Sequence, residues 1–231
     1  MVVDKELGEI HFKQNLRAKR MNVRVQTGRL LVTLPPGFKE SDGLRFIESI
    51  REKLVHRQAE TMKHVILITG NQPFRTLTFN VFVKPTTRKD LFSSMKPGVL
   101  TIEYPQELDV TDERTQRYFW NSIDFFLRQE AKIMLPMRTK DLAKKHGFSY
   151  SAVKIQSSKT RWGSCSMKRT INLSFYLLLL PSHLIDYVIL HELCHTKEMN
   201  HSPRFWEWMD KVTDGNAEKL RTELRKYRAG Q

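Results

Sequence analysis

Residues 186–206, "DYVILHELCHTKEMNHSPRFW", set two histidines and a glutamate inside a run that otherwise reads as apolar helix. Leu184, Tyr187, Val188, Leu190 and Cys194 mark a helix that is largely buried. Pro181-Ser182 opens it, with Ser182 as N-cap and Asp186 near the positive end of the dipole. His191 and His195 are four apart and so stand one turn above each other on one face. Two imidazoles placed that way bind one Zn²⁺ at about 2.0–2.1 Å each. Glu192 lies about 100° further round, within reach of a water beside the metal without itself being a ligand. This is the H-E-x-x-H arrangement of zinc-dependent hydrolases.

A catalytic zinc takes three protein ligands and leaves a fourth position to water. Two residues compete for the third place. Glu198 stays on the same face if the helix continues, but about 10 Å along the axis from His191. His201 follows Asn200, a residue that tolerates the left-handed conformation and can end a helix. Ser202-Pro203 then starts another helix with Phe205, Met209 and Val212 as its apolar face. Because the backbone bends on both sides of it, His201 is favoured as ligand. Glu198 is left as an acceptor behind a ligand or as a surface residue.

The rest of the chain divides by pattern. Residues 10–34 alternate in short runs, with Thr27-Gly28 breaking two β-rich segments as a hairpin does, and Pro35-Pro36-Gly37 closing the unit. Leu44, Ile47, Ile50 and Leu54 give 41–63 a helical period, opened by Ser41 or Asp42. Strand-like runs return at "HVILIT", "LTFNVFVKP" and "GVLTIEYP". After Pro105 an amphipathic helix starts at Thr111 or Asp112, is ended or kinked at Pro136, and is followed by a helical segment reaching the C-cap Gly147. "YSAVKIQSS" and "TINLSF" read as strands flanking the turn "RWGSCSMKR". The expected fold is α+β: a β-rich N-terminal half over 1–105, packed with a helix-dominated half over 106–231 that carries the histidine helix.

Charge narrows the partners. The net charge is +14, and much of it is spread over helices where acids and bases alternate, as in "EKLRTELRKYR". From Leu142 to Ile185, however, there is no acid, while Lys144, Lys145, Lys154, Lys159, Arg161, Lys168 and Arg169 are all basic. A one-signed field beside a site suits an anionic substrate or nucleic acid, and a solvated basic face is the plainer reading. The N-terminus has no signal-like apolar run and "INLSFYLLLLP" is too short to span a bilayer. Two cysteines in separate segments make no disulfide framework, which points to a soluble protein of the reducing cytoplasm without a membrane partner.

The blocks Arg161-Trp162-Gly163-Ser164-Cys165, Asn172, Pro181, Tyr187-Val188, His191–His195, Asn200-His201-Ser202 and Phe205-Trp206 together resemble the YgjP-like family of zinc metallopeptidases or metal-dependent hydrolases, small zincins. The resemblance continues more weakly into "KRMNVRVQTGRLLVTLPPGF", and residues 64–105 match nothing distinctive. It implies a zincin-like domain at the C-terminal end, zinc held by His191, His195 and His201, and Glu192 as general base. In zincins an edge strand beside the active helix holds extended substrate, which makes Arg161, Trp162, Gly163, Ser164 and Asn172 candidate substrate-binding residues. The plainer reading puts Trp162 in the core, Gly163 in a turn and Cys165 among small buried hydrophobes; Cys165 as a fourth ligand would close the site. A zinc peptidase acting on peptides or proteins leads. A metal-dependent nucleotide phosphohydrolase of pyrophosphatase type and a nucleic-acid-associated zincin are the alternatives.

Overall fold

Alternating burial explains the first sheet, seen in a computed structural model that describes residues 2–26, 29–63, 66–70 and 73–228. Its strands are β1 (Val2–Asp4), β2 (Gly8–Gln14), β3 (Asn22–Gln26) and β4 (Arg29–Leu34), in the order β1-β2-β4-β3. Leu30, Val32 and Leu34 of β4 face inward and join Leu7, Ile10, Ile47 and Leu54 in a core of their own. The antiparallel pairing of β3 with β4 brings Gln26 opposite Arg29, as a hairpin requires. The turn expected at Thr27-Gly28 itself lies outside the described residues. The single helix read over 41–63 is two, α1 (Glu40–Ser49) and α2 (Arg51–Lys63), broken at Ile50. Asp42 does not stand at the cap position; its carboxylate accepts the Lys39 backbone N–H from inside the first turn.

These elements form one compact unit, Met1–Ile66, and Leu67–Gln231 form a second. The strands before Pro105, grouped by their pattern with the N-terminal half, therefore cluster with the C-terminal helices. They are β5 (Phe74–Arg75), β6 (Asn80–Thr86), β7 (Phe92–Lys96) and β8 (Val99–Pro105), ordered β5-β6-β8-β7. Gly98, at φ +75°, supplies the left-handed residue of the β7–β8 turn after Pro97. Among the described residues of "HVILIT" no strand forms. Gln116 substitutes for one, its side-chain amide both accepting the Ile68 N–H and donating to the Ile68 carbonyl, each at 2.9 Å.

The long helix α3 (Glu113–His146) is capped by Asp112, which accepts from the N–H groups of Arg114 and Thr115, and stops at Gly147 with φ +71°. Its buried stripe, Phe119, Ile123, Leu127, Ala131, Leu135, Thr139 and Ala143, repeats every fourth residue straight through Pro136, which does not end it. A third, three-stranded sheet of β9 (Ala152–Gln156), β10 (Gly163–Cys165) and β11 (Thr170–Ser174) follows, ordered β10-β11-β9, so β10 lies at one edge. A 3-10 turn, Phe175–Leu179, leads to α4 (Ser182–Cys194), then α5 (Pro203–Val212) and α6 (Ala217–Leu224). The fold is mixed α+β.

Nine residues of α4 are buried; it meets solvent at its start, at Ser182 and His183, and again at His191 near its C-terminal end. Pro181, rather than Ser182, occupies its cap position. Arg138 of α3 fixes its start, donating to both Asp186 carboxylate oxygens at 2.5 and 2.9 Å and to Ser182 Oγ at 2.5 Å.

Candidate active site

Helix α4 ends at Cys194 with His195 as its cap, earlier than the sequence pattern suggests. The positive-φ non-glycine residues among those described are Arg169 and Asp214, so Asn200 is not the left-handed stop expected of it. What turns the chain is a pair of bonds back to the helix end. The N–H groups of Lys197 and Glu198 donate to the Cys194 carbonyl, and His195 Nδ1 donates to the Glu198 carbonyl at 3.0 Å. Glu198 thus leaves the helical face, and it supports His195 through its backbone.

That bond sets a tautomer. With Nδ1–H given to a carbonyl, neutral His195 presents the bare lone pair of Nε2. His195 Nε2 lies 3.2 Å from His191 Nε2, which lies 3.0 Å from His201 Nε2. The donor atoms of the three residues fall within 4.8 Å of one another, the group that can hold a metal ion among the described residues. A tetrahedral ion with bonds of about 2.0–2.1 Å separates its ligands by about 3.3 Å, close to the two measured edges. Burial first, then the neighbouring His195 and His201, pushes the His191 pKa down to about 3; burial also lowers that of His195. Both rings are neutral at physiological pH, the form a metal takes. The residues present fit such an ion. Cys165 and Cys194 lie outside the cluster.

Phe205 of α5 is fully buried and touches all three imidazoles, with centroid distances of 4.8 Å to His191, 4.5 Å to His195 and 4.7 Å to His201. Its sequence position marks it as core, and nothing in the pattern shows that it is also the floor of the histidine cluster.

Glu192 is 5% exposed, and its Oε2 has no hydrogen-bond partner. Burial pushes its pKa up to about 8, with Arg161 opposing. Against it lies Gly163 of β10, where a β carbon would come within 2.7 Å of Glu192 Oε1 and 2.8 Å of its Cγ. Two more of the candidate substrate residues have these contacts within the protein. Asn172 ties the small sheet together: its Nδ2 donates to the Ser164 carbonyl at 3.3 Å, and its Oδ1 accepts from Gln156 Nε2 at 3.0 Å. Trp162 is half-buried and packs on the main core. A cleft of about 310 Å³ opens beside the histidines, lined by His191, His201, Trp206 and Arg221. Arg221 was hidden in sequence among the alternating charges of the last helix.

The sequence matches the YgjP-like metallopeptidase domain over residues 19–227. Among solved structures it is similar to the metallopeptidase zymogen abylysin of Pyrococcus abyssi, at 27% identity and a TM-score of 0.36, over 40% of this chain and 94% of that one. It is also similar to the zymogen jannalysin of Methanocaldococcus jannaschii, at 23% identity and a TM-score of 0.35, over 38% of this chain and 91% of that one. Among curated proteins, no sequence matches. With its match running from residue 19 to residue 227, the chain belongs to the YgjP-like family of metallopeptidase domains.

Proposed function

We propose that this protein is a zinc-dependent peptidase in which His191, His195 and His201 hold the ion and Glu192 is the general base. The observation that carries this reading is the convergence of three imidazole nitrogens, with the Nδ1 of His195 tied back to the backbone so that Nε2 faces the others. Held by these three residues, a zinc ion would supply Lewis acidity toward a carbonyl and a water. Glu192 takes the proton of the attacking water and passes it to the leaving nitrogen. Among the described residues β10 pairs on one side only, with β11, which leaves an edge on which an extended peptide can add as a strand.

Peptide is favoured over nucleotide or nucleic acid because the basic segment 142–185 contributes no residue to the cleft. Of its cations, Arg161 acts on Glu192 and Lys159 lies over the Tyr176 ring. No described helix is long and apolar enough to cross a membrane. The two free cysteines fit the cytoplasmic setting we infer.

Purified protein is expected to bind about one zinc per molecule, and His191→Ala to lose it. Glu192→Gln keeps the metal while hydrolysis of unstructured peptides falls by several orders of magnitude. Folded wild-type protein that takes up no zinc, or an active Glu192→Gln variant, overturns the reading.

A further inference from the structure

Arg221 stands at the mouth of the cleft that holds His191 and His201, on α6, an element outside the histidine motif. Its guanidinium carbon lies over Trp206, 4.8 Å from the ring centroid, and Trp206 in turn neighbours His201, at 6.2 Å with the rings tilted by 31°. The ring backs the cation on one side, and a planar guanidinium carries its N–H donors along its edges. One of these edges is used by Glu218, Nη1 to Oε2 at 3.3 Å, a long contact at the exposed rim. The Arg221 side chain is 42% exposed, so it sits at the cleft rim and not at its floor. A planar cation backed by an aromatic ring, in the lining of the same cleft as His191 and His201, can grip a planar anion with two parallel hydrogen bonds.

We propose that Arg221, backed by Trp206, is a carboxylate-binding subsite that makes this protein prefer peptides bearing a carboxylate close to the bond cleaved. The inference rests on the peptidase reading above and names the substrate class of that same site. The carboxylate comes from the free C-terminus of a peptide or from an Asp or Glu side group; the chemistry of recognition is the same. Placement at the rim argues against contact with the reacting oxygen. An arginine acting on that oxygen aids every substrate alike, whereas a subsite aids only those that carry the anion.

The test uses two peptide pairs with the zinc-loaded protein: free C-terminal carboxylate against the amide, and Glu against Gln beside the scissile bond. Wild-type protein is expected to favour the carboxylate member of at least one pair by about 10- to 100-fold in kcat/KM, and which pair responds identifies the source. In Arg221→Gln that ratio collapses toward one. Arg221→Lys, which keeps the charge but loses the stacked fork, retains a small part of it and serves if the first variant folds poorly. Titration calorimetry of Glu192→Gln with and without Arg221→Gln reads binding of the same peptides without turnover. An unchanged ratio, an equal loss on both members of a pair, or no preference in the wild type overturns the subsite. If no peptide is cleaved at all, the peptidase reading falls and the calorimetry still decides whether Arg221 binds carboxylate.

Discussion

A methyl group at position 163 would have to enter the space now filled by the outer half of the Glu192 side chain. The atoms it would meet are all of that side chain and none of the backbone, so the carboxylate yields while the sheet stays in place. Gly163→Ala should therefore fold and bind zinc as the wild type does, yet lose at least about 10-fold in kcat because the base is displaced. Wild-type turnover by this variant would show that Glu192 has room to spare. Position 198 gives the opposite kind of prediction, since its contribution is a backbone carbonyl. Glu198→Gln should change zinc affinity by less than about threefold, whereas His201→Ala should cost on the order of 100-fold or more; competition with a chelator measures both. A larger loss at 198 would move the third ligand there. The four motif residues were legible in sequence because helical spacing and a short return loop bring them together locally. Gly163 facing Glu192, and Arg221 facing His201, join distant segments, and no local pattern encodes which of them will meet.

Helix α3 shows where periodicity outweighs punctuation. Pro136 removes a donor and leaves the carbonyl four residues back without its partner, but that carbonyl belongs to Lys132, an exposed position. On either side Leu135 and Thr139 are fully buried, so the apolar stripe holds the helix together across the proline. Reading Pro136 as a boundary weighed the local cost and had no access to the packing. Likewise "HVILIT" has the composition of a strand, and what it lacks is a neighbour; Gln116 supplies one residue's worth of pairing. The link between α3 and α4 has a measurable consequence. Arg138 and Asp186 are partly exposed, at 24% and 35%, yet their contact is bidentate and extends to Ser182. Arg138→Ala should lower stability by about 1–2 kcal/mol in denaturant titration. A loss within error of zero would mean that the apolar face of α4 positions the helix unaided.

The two compact units have separate cores, and the histidine cluster belongs to Leu67–Gln231. Thermal unfolding of the whole protein should accordingly show two transitions, of which a chelator lowers one and leaves the other in place; a single transition that shifts as a whole would show the units to be energetically fused. The chelator-insensitive transition should respond to acid. Asp4 accepts from Arg51 and from the backbone N–H groups of Leu7 and Glu6, which holds its carboxyl well below the usual 3.8. A group whose folded pKa is depressed contributes its stability above the unfolded value and loses it as pH falls. That transition should start to drop as pH falls below about 5 and keep dropping well under the unfolded value of 3.8, less steeply in Asp4→Asn. The bond from His195 to the carbonyl at 198 also sets rules for anyone rewriting this scaffold. Because a carbonyl is common to every residue, the letters at 197, 198 and 199 are open to recoding, while the number of residues between His195 and His201 is not. Adding or deleting one should unseat the third imidazole more surely than any change of side group between them.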